Sequence, residues 1–186
     1  MILGLSHQSA PLELLEKSII TSEDLPKKLT DLSQRDHISE AVVISTCNRT
    51  EIYVVGEKFH AAYAEVRDFL ADSAFVAPED ISDYLYVHHD EDAVKHLFSV
   101  TSGLDSAVLG ESEIQGQVKI AWETSRVEKS SGPVLNLLFR HALETGKRVR
   151  SETSISRHTA SVSHAAVLMA TDQLGSLKKK KVLVVG

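Results

Sequence analysis

A single cysteine, Cys47, stands in the run Ser45-Thr46-Cys47-Asn48-Arg49-Thr50-Glu51 between two β-like segments. Thiolate is the attacking form of a cysteine side chain, and a cation two residues on, Arg49, favours that form, so the run has the makings of a nucleophile. The competing reading is a structural thiol, because free cysteine usually behaves as a small buried hydrophobe. Polar neighbours on both sides weigh against it. His96 lies in Ala93-Val94-Lys95-His96-Leu97-Phe98, where a helical histidine is ordinarily packed or on the surface. Asp105 and Ser106 follow Gly103 and suit a helix cap, while Glu111 and Glu113 suit the positive end of a helix dipole. His88-His89-Asp90 has no second cluster at ligand spacing, so it reads as a strand end meeting a helix cap and no metal is expected.

These residues need elements to hold them. Residues 2–5 read as a strand, 22–32 as a helix entered through Ser22-Glu23-Asp24, and 41–44 and 51–56 as β-branched strands that pair antiparallel across the cysteine segment. Residues 59–74, with Ala62, Val66, Phe69 and Leu70 on one face, predict a helix, and 84–87 a last strand. Strand, helix, strand, strand, helix, strand is the βαββαβ order of a ferredoxin-like α+β sandwich. Beyond residue 90 the pattern turns helical: a segment around Ala93, Leu97 and Val100, then 114–127 and 134–149, broken by Ser130-Ser131-Gly132-Pro133. Residues 159–174 predict a helix rich in alanine, with Gly175 placed to end it. Four lysines then lead into Val182-Leu183-Val184-Val185-Gly186, which resembles the opening strand of a dinucleotide-binding unit without its glycine fingerprint or helix.

With 186 residues the chain has room for one substantial core or two small ones. One cysteine excludes an intrachain disulfide and fits a reducing, cytoplasmic setting, and no run approaches the roughly 20 apolar residues of a membrane span. The net charge of −6 is unevenly spread: −13 over residues 1–115, +4 over 116–158 and +3 over the remainder. Basic excess in the second half is what contact with a polyanion requires, although its cations are interleaved with Glu123, Glu128, Glu144 and Glu152 as on a solvated helix face.

Four stretches together resemble the N-terminal part of glutamyl-tRNA reductase: residues 4–11 (GLSHQSAP), 45–51 (STCNRTE), 103–111 (GLDSAVLGE) and 115–119 (QGQVK). That resemblance implies that Cys47 attacks the aminoacyl ester of glutamyl-tRNA to form a thioester, which NADPH reduces to glutamate-1-semialdehyde in the intact enzyme of tetrapyrrole synthesis. It implies His96 as the active-site histidine and Thr46, Asn48, Arg49, Ser106, Glu111, Ser112, Glu113 and Gln117 as substrate-binding residues. Arg49, with its planar fork, is the expected grip on a substrate carboxylate. The implied organisation is a sandwich over 1–90, a helical subdomain over 91–157, a connecting helix and linker over 158–181, and the first strand of an NADPH domain over 182–186. Gly186 would then stand at the edge of a cofactor site, with no NADPH expected on this stretch alone. A homodimer and the next enzyme of the pathway, glutamate-1-semialdehyde aminomutase, are implied partners. Leu15, Glu113, Gln115 and His158-Thr159 depart from the family pattern. Two other readings stand beside this one: a tRNA-binding regulatory module with an inert cysteine, and a free-standing cysteine thioesterase.

Overall fold

The computed structural model describes residues 1–155 and 162–183. The apolar runs of the first half form strands β1 (Ile2–Ser6), β2 (Ile38–Ser45), β3 (Arg49–Gly56) and β4 (Tyr86–His88). Helices α1 (Leu12–Lys17), α2 (Leu25–Ser33), α3 (Phe59–Ala74) and α4 (Pro78–Ser82) lie between them in sequence. Four more follow: α5 (Asp90–Thr101), α6 (Glu113–Val127), α7 (Pro133–Glu152) and α8 (Val162–Leu174).

The strands make one sheet in the order β2-β3-β1-β4, with every neighbouring pair antiparallel. Side chains alternate across a strand, so β1, β2 and β3 each feed two cores. Leu3, Leu5, Ala41, Val43, Ile52 and Val54 face α1, α2 and α3. Ile2, Val42, Ile44 and Tyr53 face the other way, into a core shared with α5, α6 and α7. Strands buried on both faces read as continuous apolar runs, which is why residues 41–44 show no polar alternation. Tyr53 meets Phe139 of α7 edge to face at 5.4 Å, fastening the last of those helices to the sheet.

The second helical layer is held at its entrance by a strand side chain. Glu40 of β2 is 7% exposed, and its carboxylate accepts the backbone N–H groups of Val134 at 3.1 Å and Leu135 at 2.7 Å. These are first-turn donors with no partner inside the helix, so the carboxylate supplies the cap that Gly132 has no side chain to make.

Two short helices, α1 and α4, were not anticipated; six and five residues are too few for a 3.6-residue period to declare itself. β4 begins at Tyr86 rather than 84. Of the expected final helix, the described part runs from Val162 to Leu174, and Gly175 follows at φ +69°. Residues 159–161 lie outside the described residues, as do 184–186 and with them Gly186. Val182 and Leu183 are exposed and carry no strand assignment.

Candidate active site around Cys47

Cys47 occupies the tip of the β2–β3 hairpin, exposed to solvent. Thr46 builds that tip. Its Oγ1 accepts the N–H groups of Asn48 (3.1 Å) and Arg49 (3.2 Å), and its own N–H donates to the Arg49 carbonyl at 2.8 Å. A threonine hydroxyl that satisfies the turn locally frees the two loop residues from needing a tertiary partner. The turn is braced from both sides. The N–H of His7, after β1, donates to the Asn48 carbonyl at 2.9 Å, and the N–H of Ile20 donates to Ser45 Oγ at 2.8 Å. The thiol is thus displayed on a stiff support.

Arg49 turns the other way. It is 1% exposed, and its guanidinium donates through Nη1 to Glu51 Oε1 (2.8 Å) and Asp105 Oδ2 (2.9 Å) and through Nη2 to the Asp105 carbonyl (2.5 Å). The grip expected on a substrate carboxylate is therefore filled by carboxylates of the chain itself. Its side chain ties the hairpin to the 102–112 loop. Burial works against the guanidinium's charge, and Glu51 more than restores it, so its pKa lies above the usual arginine value.

Glu51, fully buried, is the hub. Besides Arg49 it accepts the hydroxyls of Tyr53 (2.8 Å) and Tyr86 (2.7 Å) and Nε2 of His96 (2.8 Å). Burial alone would raise its pKa; the His96 hydrogen bond and the charge of Arg49 outweigh that and hold the carboxyl ionised down to about 2. Burial and the same negative charge push both tyrosine hydroxyls above their usual 10, so they remain donors. An ionised carboxylate only accepts, so Nε2 of His96 carries the hydrogen of this bond and the tautomer is fixed. The ring of His88 stacks on His96 at 4.8 Å, and burial together with His96 lowers the His88 pKa.

The sheet register explains how a side chain from β3 reaches one on β4. Gly4 of β1 pairs with Glu51 on one side and with Tyr86 on the other. With no side chain at residue 4 the carboxylate crosses β1 to the tyrosine hydroxyl. A Cβ at Gly4 would lie 2.7 Å from the Thr50 carbonyl and 2.9 Å from Glu51 Cγ.

The remaining expected residues divide. Ser106 donates to Glu111 Oε1 at 3.3 Å, and the Glu111 carboxylate accepts the N–H groups of Glu113 (2.7 Å) and Ile114 (3.0 Å), capping α6. Glu111 is thereby engaged in structure. Its loop folds back on itself where Gly110 N–H donates to the Gly103 carbonyl at 2.7 Å, and Gly103 takes φ +75°, a conformation glycine adopts without strain. Ser112 and Glu113 are exposed at the start of α6 and Gln117 is half-buried one turn on. Asn48 is half-buried beside Cys47. Of the departures from the family pattern, Leu15 lies in the core beneath the sheet and Gln115 donates to the Leu143 carbonyl of α7 at 3.1 Å.

Sequence reasoning assigned no role to Glu51, Tyr53, Tyr86 or Gly4 and gave Asp105 only a capping one. One signal was available: Arg49, Glu51 and Tyr53 sit at i, i+2 and i+4, so a strand places all three on one face.

A family described as Glutamyl-tRNAGlu reductase, N-terminal domain, matches residues 3–153. Among curated proteins, the glutamyl-tRNA reductase of Frankia casuarinae is 46% identical over 175 residues, covering 94% of this chain and 37% of that protein. That of Bacillus subtilis is 39% identical over all of this chain and 41% of its own length. Among solved structures, glutamyl-tRNA reductase from Methanopyrus kandleri superposes with a TM-score of 0.73 at 34% identity, over 94% of this chain and 40% of that one. The chain spans about two fifths of the length of the relatives it matches. On sequence and fold together, it belongs to the glutamyl-tRNA reductase family and corresponds to the N-terminal part.

Proposed function

We propose that this chain carries the acyl-capture half of glutamyl-tRNA reductase, with Cys47 as its nucleophile. The observation that carries the reading is an exposed thiol on a braced turn, joined within two residues of chain to a buried Arg49–Glu51–His96 network. Cys47 Sγ attacks the ester carbonyl carbon of glutamyl-tRNA, a C–S bond forms, and the bond from that carbon to the terminal ribose oxygen breaks. The thiol proton ends on the departing ribose oxygen, and the glutamyl group stays on the protein as a thioester. His96, held in one tautomer by Glu51, is the proton carrier. A substrate carboxylate reaches Arg49 by exchanging with Asp105, whose side chain is 31% exposed, while Glu51 stays in place. Thr46, Asn48, Ser106, Ser112, Glu113 and Gln117 border that space in our assignment, and Glu111 supports them by holding α6.

In the whole enzyme, NADPH supplies the hydride that turns the thioester into glutamate-1-semialdehyde. The step assigned to residues 1–186 is the one that ends at the thioester. The strand order supports reading residues 1–90 as a ferredoxin-like sandwich, with 91–157 completing the site, 158–181 connecting onward and 182–186 opening the NADPH domain. Dimerisation, transfer of the aldehyde to the aminomutase and a cytoplasmic setting belong to the same proposal. Among the described residues no helix is long and apolar enough to cross a membrane.

The test is incubation with glutamyl-tRNA labelled in the amino acid. The reading expects stoichiometric, hydroxylamine-sensitive label on the protein and none on Cys47→Ser. Equal labelling of that variant would refute the nucleophile. NADPH-dependent aldehyde formation by residues 1–186 alone would refute the division of labour.

A further inference from the structure

We infer that the groove between α6 and α7 is the surface on which the base-paired stem of the RNA substrate rests. This inference presupposes that the thiol site works on an aminoacyl ester carried by RNA. Two adjoining cavities of about 460 and 410 Å³ share Trp122 and Arg140 and together run along the helix pair. The first begins at Ser112, the residue before α6, in the loop that Arg49 holds through Asp105. The groove therefore starts beside the site and leads away from it.

Its cations have a regular arrangement. Lys119 and Arg126 lie seven residues apart on α6, and Arg140 and Lys147 seven apart on α7; two helical turns place each pair about 10 Å apart along its axis. Lys119 and Lys147 line one cavity, Arg126 and Arg140 the other. Four positive charges against the one acid that lines the groove, Glu144, stand out on a chain whose first 115 residues carry −13. Along a duplex, about 10 Å of axis presents about six phosphates, so both ends of the groove meet backbone charge at once.

The acids nearby leave most of that charge free. Glu144 is bonded to His141 at 3.1 Å, and Lys119 makes only a loose 3.6 Å pair with Glu123. Among the described residues Arg140 and Lys147 have no ion-pair partner. Trp122 forms the floor. Its indole N–H donates to Asn136 at 2.7 Å and its face carries the Arg126 guanidinium at 5.3 Å, so it serves as a rigid platform that aims the cation outward. A polar, rigid, electropositive channel without free aromatic faces fits a paired backbone better than splayed single-stranded bases, which would need rings to stack on.

The probe is a fluorescent 12-base-pair RNA duplex with a single-stranded 3′ end, titrated with the 186-residue chain at several salt concentrations. Four phosphate contacts predict a slope of log affinity against log salt of about −3.6. Arg140→Glu with Lys147→Glu should weaken binding roughly tenfold or more and flatten the slope by about 1.8, and the glutamine pair should flatten it equally. Lys27→Glu with Lys58→Glu, exposed cations beside the opposite face of the sheet, makes the same change in net charge and should leave the duplex affinity unmoved. Unaltered binding by the groove variants, or an equal loss in the Lys27 and Lys58 pair, would overturn the assignment. The thiol reading is measured separately, by mass increase of the unmodified chain with a small glutamyl thioester that needs no RNA. Failure there with normal duplex binding removes the nucleophile and keeps the groove; the converse removes the groove and keeps the nucleophile.

Discussion

Glu51 is a carboxylate with four donors and no exposed surface, and both its stability and its cost follow from that. Its pKa is lowered from the usual 4.5 to about 2, because the His96 hydrogen bond and Arg49 together outweigh burial. A carboxyl that binds its proton more weakly folded than unfolded adds stability that is complete above pH 4.5 and drains away as pH falls from there through about 2. Acid titration of unfolding, followed by far-UV circular dichroism, should show that loss. Glu51→Gln should flatten it and, by leaving the buried guanidinium with Asp105 alone, cost about 3–5 kcal/mol at neutral pH. An unchanged acid limb in the variant would show that Glu51 is not the group responsible. Asp105→Asn tests the exchange on Arg49. With its competitor weakened, the arginine should accept a free carboxylate more readily, lowering two- to tenfold the concentration of a small glutamyl thioester that half-saturates the rate of Cys47 acylation; a raised value would show instead that Asp105 positions the arginine.

At the scale of elements, the site depends on the hairpin and on the bare position beside it. Thr46→Val removes the acceptor of two backbone N–H groups and should cost about 1–3 kcal/mol. Thr46→Ser should restore most of that. The rate at which iodoacetamide alkylates Cys47 reports the same change locally, because a loosened turn alters the approach to the thiol. Gly4→Ala drives a Cβ into backbone at 2.7 Å, a contact that only movement of β1 against β3 relieves, and overpacking of this kind costs about 1–3 kcal/mol. Loss of acyl capture beyond what the stability change explains would tie the β1–β3 spacing to the Glu51 network. The hairpin was readable because its strands are continuous apolar runs, α3, α6 and α7 because each buries one continuous stripe, and Cys47 because its neighbours are polar where a core thiol's would be apolar. Gly4 and Glu51 were not, since their meaning lies in strand pairing between residues 47 positions apart. Arg49 reads as a substrate grip from the family resemblance and its planar fork; only the third dimension reveals that Asp105, from a distant loop, already occupies it.

For the molecule as a whole, the question is whether the sheet and the helices after residue 90 are separable. Their packing argues that they are not. Ile2, Val42, Ile44 and Tyr53 share their core with α5, α6 and α7, and Glu40 reaches across to cap α7. Removing residues 91–186 would uncover that apolar face and leave Arg49 and Glu51 facing water without Asp105 and His96. Exposed sheet faces of this size associate, so a fragment of residues 1–90 is expected to bind 8-anilinonaphthalene-1-sulfonate, to lack a near-ultraviolet dichroism signal and to unfold without a cooperative transition. The 186-residue chain should lose Tyr53 packing and far-ultraviolet helix signal at one urea concentration, because both layers close on the same strands. Two separated transitions, or a fragment of residues 1–90 that unfolds cooperatively on its own, would show that the sandwich stands without its second layer. In that case the helices after residue 90 would bury the Glu51 network by docking, with Asp105 and His96, onto a sheet that had already folded.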